Sequence, residues 1–203
     1  MLKAESLAAQ RGGMTLFAKV AFSLDGGQAL LVTGANGCGK TTLLRMVAGL
    51  TQPHFGRLSW RGEPVAAFDP ILRAATLYIG HATALKDEFT AAENLLSLTA
   101  LHGAQANRET VRNALDEWSL GRYGDIPARV LSQGQRRRVS LARMNLARQR
   151  LWVLDEPATA LDAPGIATLE TRINAHLAEQ GVAVIATHQP LALPPGATRR
   201  LEL

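Results

Sequence analysis

The residues with the clearest chemical potential run consecutively as Gly34-Ala35-Asn36-Gly37-Cys38-Gly39-Lys40-Thr41-Thr42. Gly34 to Thr41 fits G-x-x-x-x-G-K-[ST], a spacing in which glycines let successive amides close around phosphate oxygens without side-chain clash. Such a loop is an anion nest, and its lysine, here Lys40, reaches the β- and γ-phosphates of a nucleoside triphosphate such as ATP. Thr41 is placed to give its hydroxyl to Mg²⁺, and a helix that follows aims its partly positive N-terminus at the same charge. Cys38 is the chain's single cysteine, so no internal disulfide is possible, and it reads as a small packing residue.

Phosphoryl transfer also needs a carboxylate for the metal and a group to position water. Leu151-Trp152-Val153-Leu154-Asp155-Glu156 offers both at the end of an apolar strand: Asp155 for Mg²⁺, and the adjacent Glu156 to orient or deprotonate the attacking water. His188 ends another apolar strand, in Ile185-Ala186-Thr187-His188, where an imidazole can bond a γ-phosphate oxygen. His54, His102 and His176 have no spacing with Cys38 or with acidic residues that suggests a metal or haem ligand set, and they read as surface residues.

These groups need elements to position them. The apolar run Ala29 to Thr33 leads straight into the glycine loop, and the helical pattern Leu43 to Ala48 leaves it and stops at Gly49. Strands are also expected at Leu2 to Leu7 and Val20 to Leu24, with Gly12-Gly13 turning between them, and at Leu151 to Leu154 and Val182 to Ala186. The alternation with helical stretches argues for a mostly parallel α/β sheet. Residues 90–148 are helical in pattern and read as an insertion within a single domain of residues 1–203. Thr90 and Glu93 have capping-box spacing, a second helix fits Arg108 to Trp118, and Ser132 can cap a third that carries Val139, Leu141, Ala142 and Leu146 on one side. The run Arg136-Arg137-Arg138 lies on that third helix and reads as a solvated face.

Composition narrows the classes. Among 203 residues, 22 Lys and Arg against 17 Asp and Glu leave a net charge of +5, compatible with nucleic acid, anionic lipid or nucleotide phosphate. Aromatics make up only 5%, which leaves no stacking platform for bases, and nucleic acid is not expected as a partner. No stretch approaches the roughly 18 apolar residues of a membrane span, and the start lacks the pattern of a secretory signal, so a cytoplasmic setting is expected.

Leu131-Ser132-Gln133-Gly134-Gln135-Arg136-Arg137-Arg138-Val139 resembles the signature motif of ATP-binding cassette proteins, and Ala158-Thr159-Ala160-Leu161-Asp162 resembles their D-loop. The resemblance covers essentially the whole chain. It implies a P-loop NTPase (RecA-like) core with N-terminal antiparallel β elements and an inserted helical subdomain carrying the signature. It further implies a head-to-tail homodimer in which Ser132, Gln133, Gly134 and Gln135 of one subunit meet the γ-phosphate held by the other. Two positions depart from the common pattern. The glutamine that usually senses the metal falls on His81, and the usual adenine-stacking tyrosine falls on Arg11. Arg11 either stacks its guanidinium on adenine or points to solvent.

Tyr78-Ile79-Gly80-His81, then Phe89-Thr90-Ala91-Ala92-Glu93-Asn94-Leu95, Leu151 to Pro157 and Ala186-Thr187-His188-Gln189-Pro190-Leu191 are similar to the ATP-binding subunits of cytochrome c maturation systems, often called haem exporter ATPases. There Gly-His is usually followed by glutamine, and Ala82 stands here instead. This likeness implies integral membrane subunits of that system as partners, ATP hydrolysis in the service of haem export or release of a haem-loaded chaperone, and a peripheral position on the cytoplasmic face of a bacterial inner membrane. The other readings are a cassette subunit serving a different small molecule, a soluble cassette protein acting on ribosomes or DNA, and a nucleotide-binding regulator without turnover. Glu156 argues against the last.

Overall fold

The computed structural model describes residues 1–101 and 106–203, so His102 lies outside the described residues. The chain divides into two compact units, one of Met1–Tyr78, Gln149–Glu156 and Ile173–Leu203, the other of Ile79–Arg148 and Pro157–Arg172.

In the first unit, β1 (Leu2–Arg11) and β2 (Met14–Leu24) form a hairpin closed by Gly12-Gly13. With β4 (Phe55–Trp60) and β5 (Glu63–Val65) they make an antiparallel sheet in the order β2-β1-β4-β5. Residues alternate across it: Leu2 and Ala4 are buried while Lys3 stands in solvent, the period-two signature of a sheet with one wet face. The second sheet runs β6-β7-β8-β3-β9, from β6 (Thr76–Ile79), β7 (Leu151–Asp155), β8 (Val182–Ala186), β3 (Ala29–Thr33) and β9 (Thr198–Glu202). The pairs β7–β8, β8–β3 and β3–β9 are parallel. Strands β7 and β8 are buried at every position, as central parallel strands must be. Leu24, Val32, Leu43, Leu44, Trp60, Val153 and Val184 belong to one core that joins both sheets and α1 (Lys40–Val47). The short α2 (Pro70–Ala75) begins with Asp69 accepting from the amides of Ile71 and Leu72.

The second unit holds α3 (Ala91–Ala100), α4 (Arg108–Glu117) and α5 (Gln133–Leu141), the last continuing as a 3₁₀ turn over Ala142–Asn145. Each α-helix opens with a reciprocal capping box, Thr90 with Glu93, Asn107 with Thr110 and Ser132 with Gln135. Leu95, Val111, Leu115, Trp118, Val139 and Leu141 are buried, and the Trp118 indole donates to Asn145 Oδ1 at 3.0 Å. α6 (Ala163–Ala178) leads back to the first unit. Among the described residues, no helix is long and apolar enough to cross a membrane.

Two sequence expectations are corrected here. The arginine run is not a solvated face: Arg137 is only 3% exposed, and Arg136 and Arg138 are half-buried in ion pairs with Asp87 and Asp162. His176 is likewise no surface residue. It is buried, with its ring stacked on Trp152 at 3.8 Å between centroids and 5° between planes, because the last turn of α6 covers β7.

Candidate active site

Because β7, β8 and β3 are parallel neighbours, their carboxyl ends lie on one edge of the sheet, where ligands of open α/β sheets bind. Three segments leave that edge: Gly34 to Thr42 after β3, Asp155-Glu156 at the end of β7, and Thr187-His188 after β8.

The loop after β3 needs its glycines for two different reasons. Gly34 has φ +141°, and a Cβ there would sit 2.6 Å from the Leu203 carbonyl oxygen and 2.8 Å from Cys38 Sγ. Gly39, at φ +111°, caps α1, and a Cβ would meet Phe17 Cδ1 at 2.8 Å. Phe17 and Leu16 of β2 thus floor the loop, a contact that the sequence pattern did not announce. Ala35, Asn36 and Gly37 are exposed, Cys38 and Gly39 half-buried. Lys40 is buried, and its Nζ donates to the carbonyls of Gly34 at 2.8 Å and Ala35 at 3.1 Å, drawing the loop around its own ammonium. Thr42, half-buried, continues the first turn of α1.

Thr41 Oγ1 donates to Asp155 Oδ2 at 2.8 Å. Asp155 is 1% exposed at the end of an otherwise apolar strand, where a carboxylate is retained only with polar partners. The half-buried Tyr78 phenol is pushed above its usual range, first by burial and then by the charge of Asp155. A hydroxyl and a carboxylate that converge are hard oxygen ligands of the kind Mg²⁺ takes together with phosphate oxygens and water, so the residues present fit that ion. Among the described residues no three His, Cys, Asp or Glu side chains converge as an all-protein metal cage, which Mg²⁺ held in this way does not require.

Glu156 turns the chain out of β7 in the left-handed region, at φ +48°, while its amide donates to the Ala186 carbonyl at 2.9 Å. That conformation is disfavoured by about 1–2 kcal/mol for an L-residue and aims the carboxylate away from the strand line. Glu156 Oε1 lies 3.4 Å from His188 Nε2, and the His188 amide donates to Oε2 at 3.4 Å. The structure therefore brings Lys40, Thr41, Asp155, Glu156 and His188 to one edge. Arg11 stands exposed at the hairpin tip, at the end of β1.

The remaining predicted residues lie in the second unit. Ser132 Oγ accepts from the Gln135 amide at 3.2 Å and the Gln135 side chain accepts from the Ser132 amide at 2.8 Å, so both side chains are engaged in opening α5. Ser132 and Gln133 are exposed. At Gly134 an added Cβ would lie 2.8 Å from the Ala160 carbonyl oxygen, so this glycine admits the 158–162 turn. Asp162 accepts from the Gly165 amide at 3.0 Å and pairs with Arg138. The Arg138 hydrogen bond, and after it the Gly165 amide, hold its carboxyl below the usual value. His81 is exposed, and its main-chain oxygen, like that of Gly80, accepts from Arg137. The burial of Arg137 and its hold on these carbonyls are what the sequence pattern did not mark.

A family model described as ABC transporter matches residues 17–159. The chain is 46% identical over 202 residues to the cytochrome c biogenesis ATP-binding export protein CcmA of Pseudomonas putida, covering 100% of this chain and 96% of that protein. The protein of the same name from Cupriavidus necator is 46% identical over 203 residues, covering 100% and 88%. An ABC transporter ATP-binding protein from Pyrococcus furiosus shares the fold with a TM-score of 0.85 at 22% identity, over 98% of this chain and 96% of that one. A dimeric ATP-binding cassette in a post-hydrolysis state with ADP and Pi matches at a TM-score of 0.78 and 22% identity, over 93% and 88%. The chain belongs to the ABC transporter family of ATP-hydrolysing proteins, in the group of cytochrome c biogenesis ATP-binding export proteins.

Proposed function

We propose that two copies of this chain bind ATP with Mg²⁺ and hydrolyse it on the cytoplasmic face of a bacterial inner membrane, driving integral membrane subunits that export haem or release a haem-loaded chaperone for cytochrome c biogenesis. The observation that carries this reading is the full-length match, at 46% identity, to proteins named for cytochrome c biogenesis and export. The dimer is supported by the cassette solved with ADP and Pi as a dimer, and by the exposure of Ser132 and Gln133 at the opening of α5, where a helix N-terminus suits a second chain's nucleotide.

In this reading the amides of Gly34 to Thr42 cradle the phosphates, and Lys40 exchanges the Gly34 and Ala35 carbonyls for β- and γ-phosphate oxygens. Thr41 and Asp155 would hold Mg²⁺, which would supply positive charge against the triphosphate. Glu156 takes a proton from the attacking water as the water oxygen bonds the γ-phosphorus and the bond from that phosphorus to the β–γ bridging oxygen breaks, leaving ADP and phosphate. His188 holds the Glu156 carboxylate in place and faces a γ-phosphate oxygen. Ser132, Gln133, Gly134 and Gln135 close the partner's site, and Asp162 keeps the 158–162 turn against α5 through Arg138. Arg11, exposed at the hairpin tip, either stacks on adenine or faces solvent, and His81 stands where the metal-sensing glutamine usually does.

A strain lacking this chain tests the cargo. It should make apocytochromes but few c-type cytochromes with covalent haem, while b-type cytochromes stay normal, and a Glu156→Gln copy should not restore the haem-staining bands. A normal set of c-type bands in the deletion strain would remove the cytochrome assignment.

A further inference from the structure

Arg137 is 3% exposed on α5, five residues past Ser132. Its Nη1 donates to the Gly80 carbonyl at 2.8 Å and the His81 carbonyl at 3.4 Å, and its Nε donates to the Pro157 carbonyl at 3.2 Å. All four residues belong to one compact unit. A buried cation is tolerated only where oxygens replace its water, and the guanidinium does so with donors in a rigid fork that serves two directions at once. The flanking arginines grip neighbouring segments in the same way. Arg136 Nη1 donates to Asp87 Oδ1 at 2.6 Å and the Ala128 carbonyl at 2.9 Å, and Arg138 pairs with Asp162.

The consequence lies in what Arg137 holds. Pro157 follows Glu156 directly, and Glu156 sits in a left-handed conformation that its surroundings must maintain. Gly80-His81 is gripped at its main chain, so that grip is indifferent to which side chain stands at position 81.

We propose that Arg137 is a positioning residue for hydrolysis: it ties the main chain of Gly80-His81 and of Pro157 to α5, so that the residue joined by a peptide bond to Glu156 is held at a fixed point. The proposal rests on the reading of Glu156 as general base given above. The fork, rather than positive charge alone, carries the function, because Pro157 and Gly80 are reached by two different nitrogens of one planar group, Nε and Nη1, an arrangement that a single ammonium does not reproduce.

Arg137→Lys and Arg137→Met in the full chain test it, with ATP affinity, kcat, KM and melting temperature measured for each. ATP-driven dimer formation is followed with both substitutions in a Glu156→Gln background. Both variants should bind ATP as single chains within about twofold of native, lose about 10-fold or more in kcat, and need about 10-fold more ATP to dimerise, with KM rising in step. Should Arg137→Met fail to fold, Arg137→Lys decides alone, since it keeps the buried charge. Native kcat and native dimerisation in Arg137→Lys would overturn the proposal. So would a loss of ATP affinity in step with a loss of melting temperature, which marks a residue that merely holds the fold. Glu156→Gln alone, with Arg137 intact, separates the two readings: normal phosphate release there discards the general base, whereas blocked release beside a native Arg137→Lys discards only the positioning role.

Discussion

Thr41 Oγ1 and Asp155 Oδ2 are joined by a 2.8 Å hydrogen bond across 114 residues of sequence, so the first turn of α1 and the end of β7 are set against each other by the protein's own side chains. Pre-positioning of this kind lowers the ordering that nucleotide binding must otherwise impose. Asp155→Asn keeps an acceptor oxygen for Thr41 and removes the charge. It should therefore leave ATP affinity without Mg²⁺ within a few-fold of native and reduce phosphate release by about 10². A Mg²⁺ titration of both activities checks this, and native turnover at saturating Mg²⁺ would take Asp155 out of the metal site.

Lys40 is buried against the carbonyls of Gly34 and Ala35. Lys40→Ala loses the positive charge aimed at the β- and γ-phosphates together with the bonds that draw the loop closed. ATP binding should weaken about 10-fold or more and turnover should vanish. Equilibrium binding of a fluorescent ATP analogue, read beside phosphate release, distinguishes loss of affinity from loss of chemistry.

Glu156 contacts His188 through both carboxylate oxygens. Glu156→Gln preserves the shape and the acceptor for the His188 amide but cannot take a proton. ATP binding should persist, hydrolysis should slow by about 10² or more, and an ATP-bound dimer should accumulate on size exclusion. Unchanged phosphate release would remove Glu156 from the mechanism.

What could be read in the sequence was local. The strand–loop–helix around Lys40 is announced by an apolar run, glycine spacing and a helical period in sequence order, and the caps at Thr90 and Ser132 each need only a partner three residues on. The unread parts depend on distant partners. β9, Thr-Arg-Arg-Leu-Glu, has no apolar run and becomes a strand because β3 offers a parallel edge, and Phe17 reaches Gly39 only through the hairpin. Arg137 reads as solvated by its charge, yet the carbonyl that accepts its shortest hydrogen bond is 57 residues away. His176 reads as exposed because nothing near it in sequence marks Trp152 as its cover.

Gly134 has the Ala160 carbonyl oxygen 2.8 Å from where a Cβ would stand. Gly134→Ala therefore forces the 158–162 turn to move, even before any partner subunit is considered. It should spare ATP binding by the single chain within about twofold and lower kcat about 10-fold or more, with a greater loss for Gly134→Asp, whose carboxylate would face the partner's phosphate. Normal turnover in both variants would refute a site completed by a second chain.

His176 gives the chain a pH-dependent stability with a definite sign. Its pKa is lowered from 6.5 to about 4, chiefly by burial and against the opposing pull of the Val182 carbonyl 3.3 Å from Nε2. The unfolded chain therefore holds more protons than the folded one between those two values, so stability falls as pH drops through 6.5 and levels off below about 4. The whole span amounts to about 3 kcal/mol for this one group. His176→Phe keeps a flat ring on Trp152 and cannot be protonated. Other groups also titrate in acid, so the measure is the difference in melting temperature between native and variant chains as pH falls from 7 to 4.5. The native chain should lose ground steadily over that range. A difference that stays constant with pH would mean that the buried imidazole is not what links this chain's folding to protons.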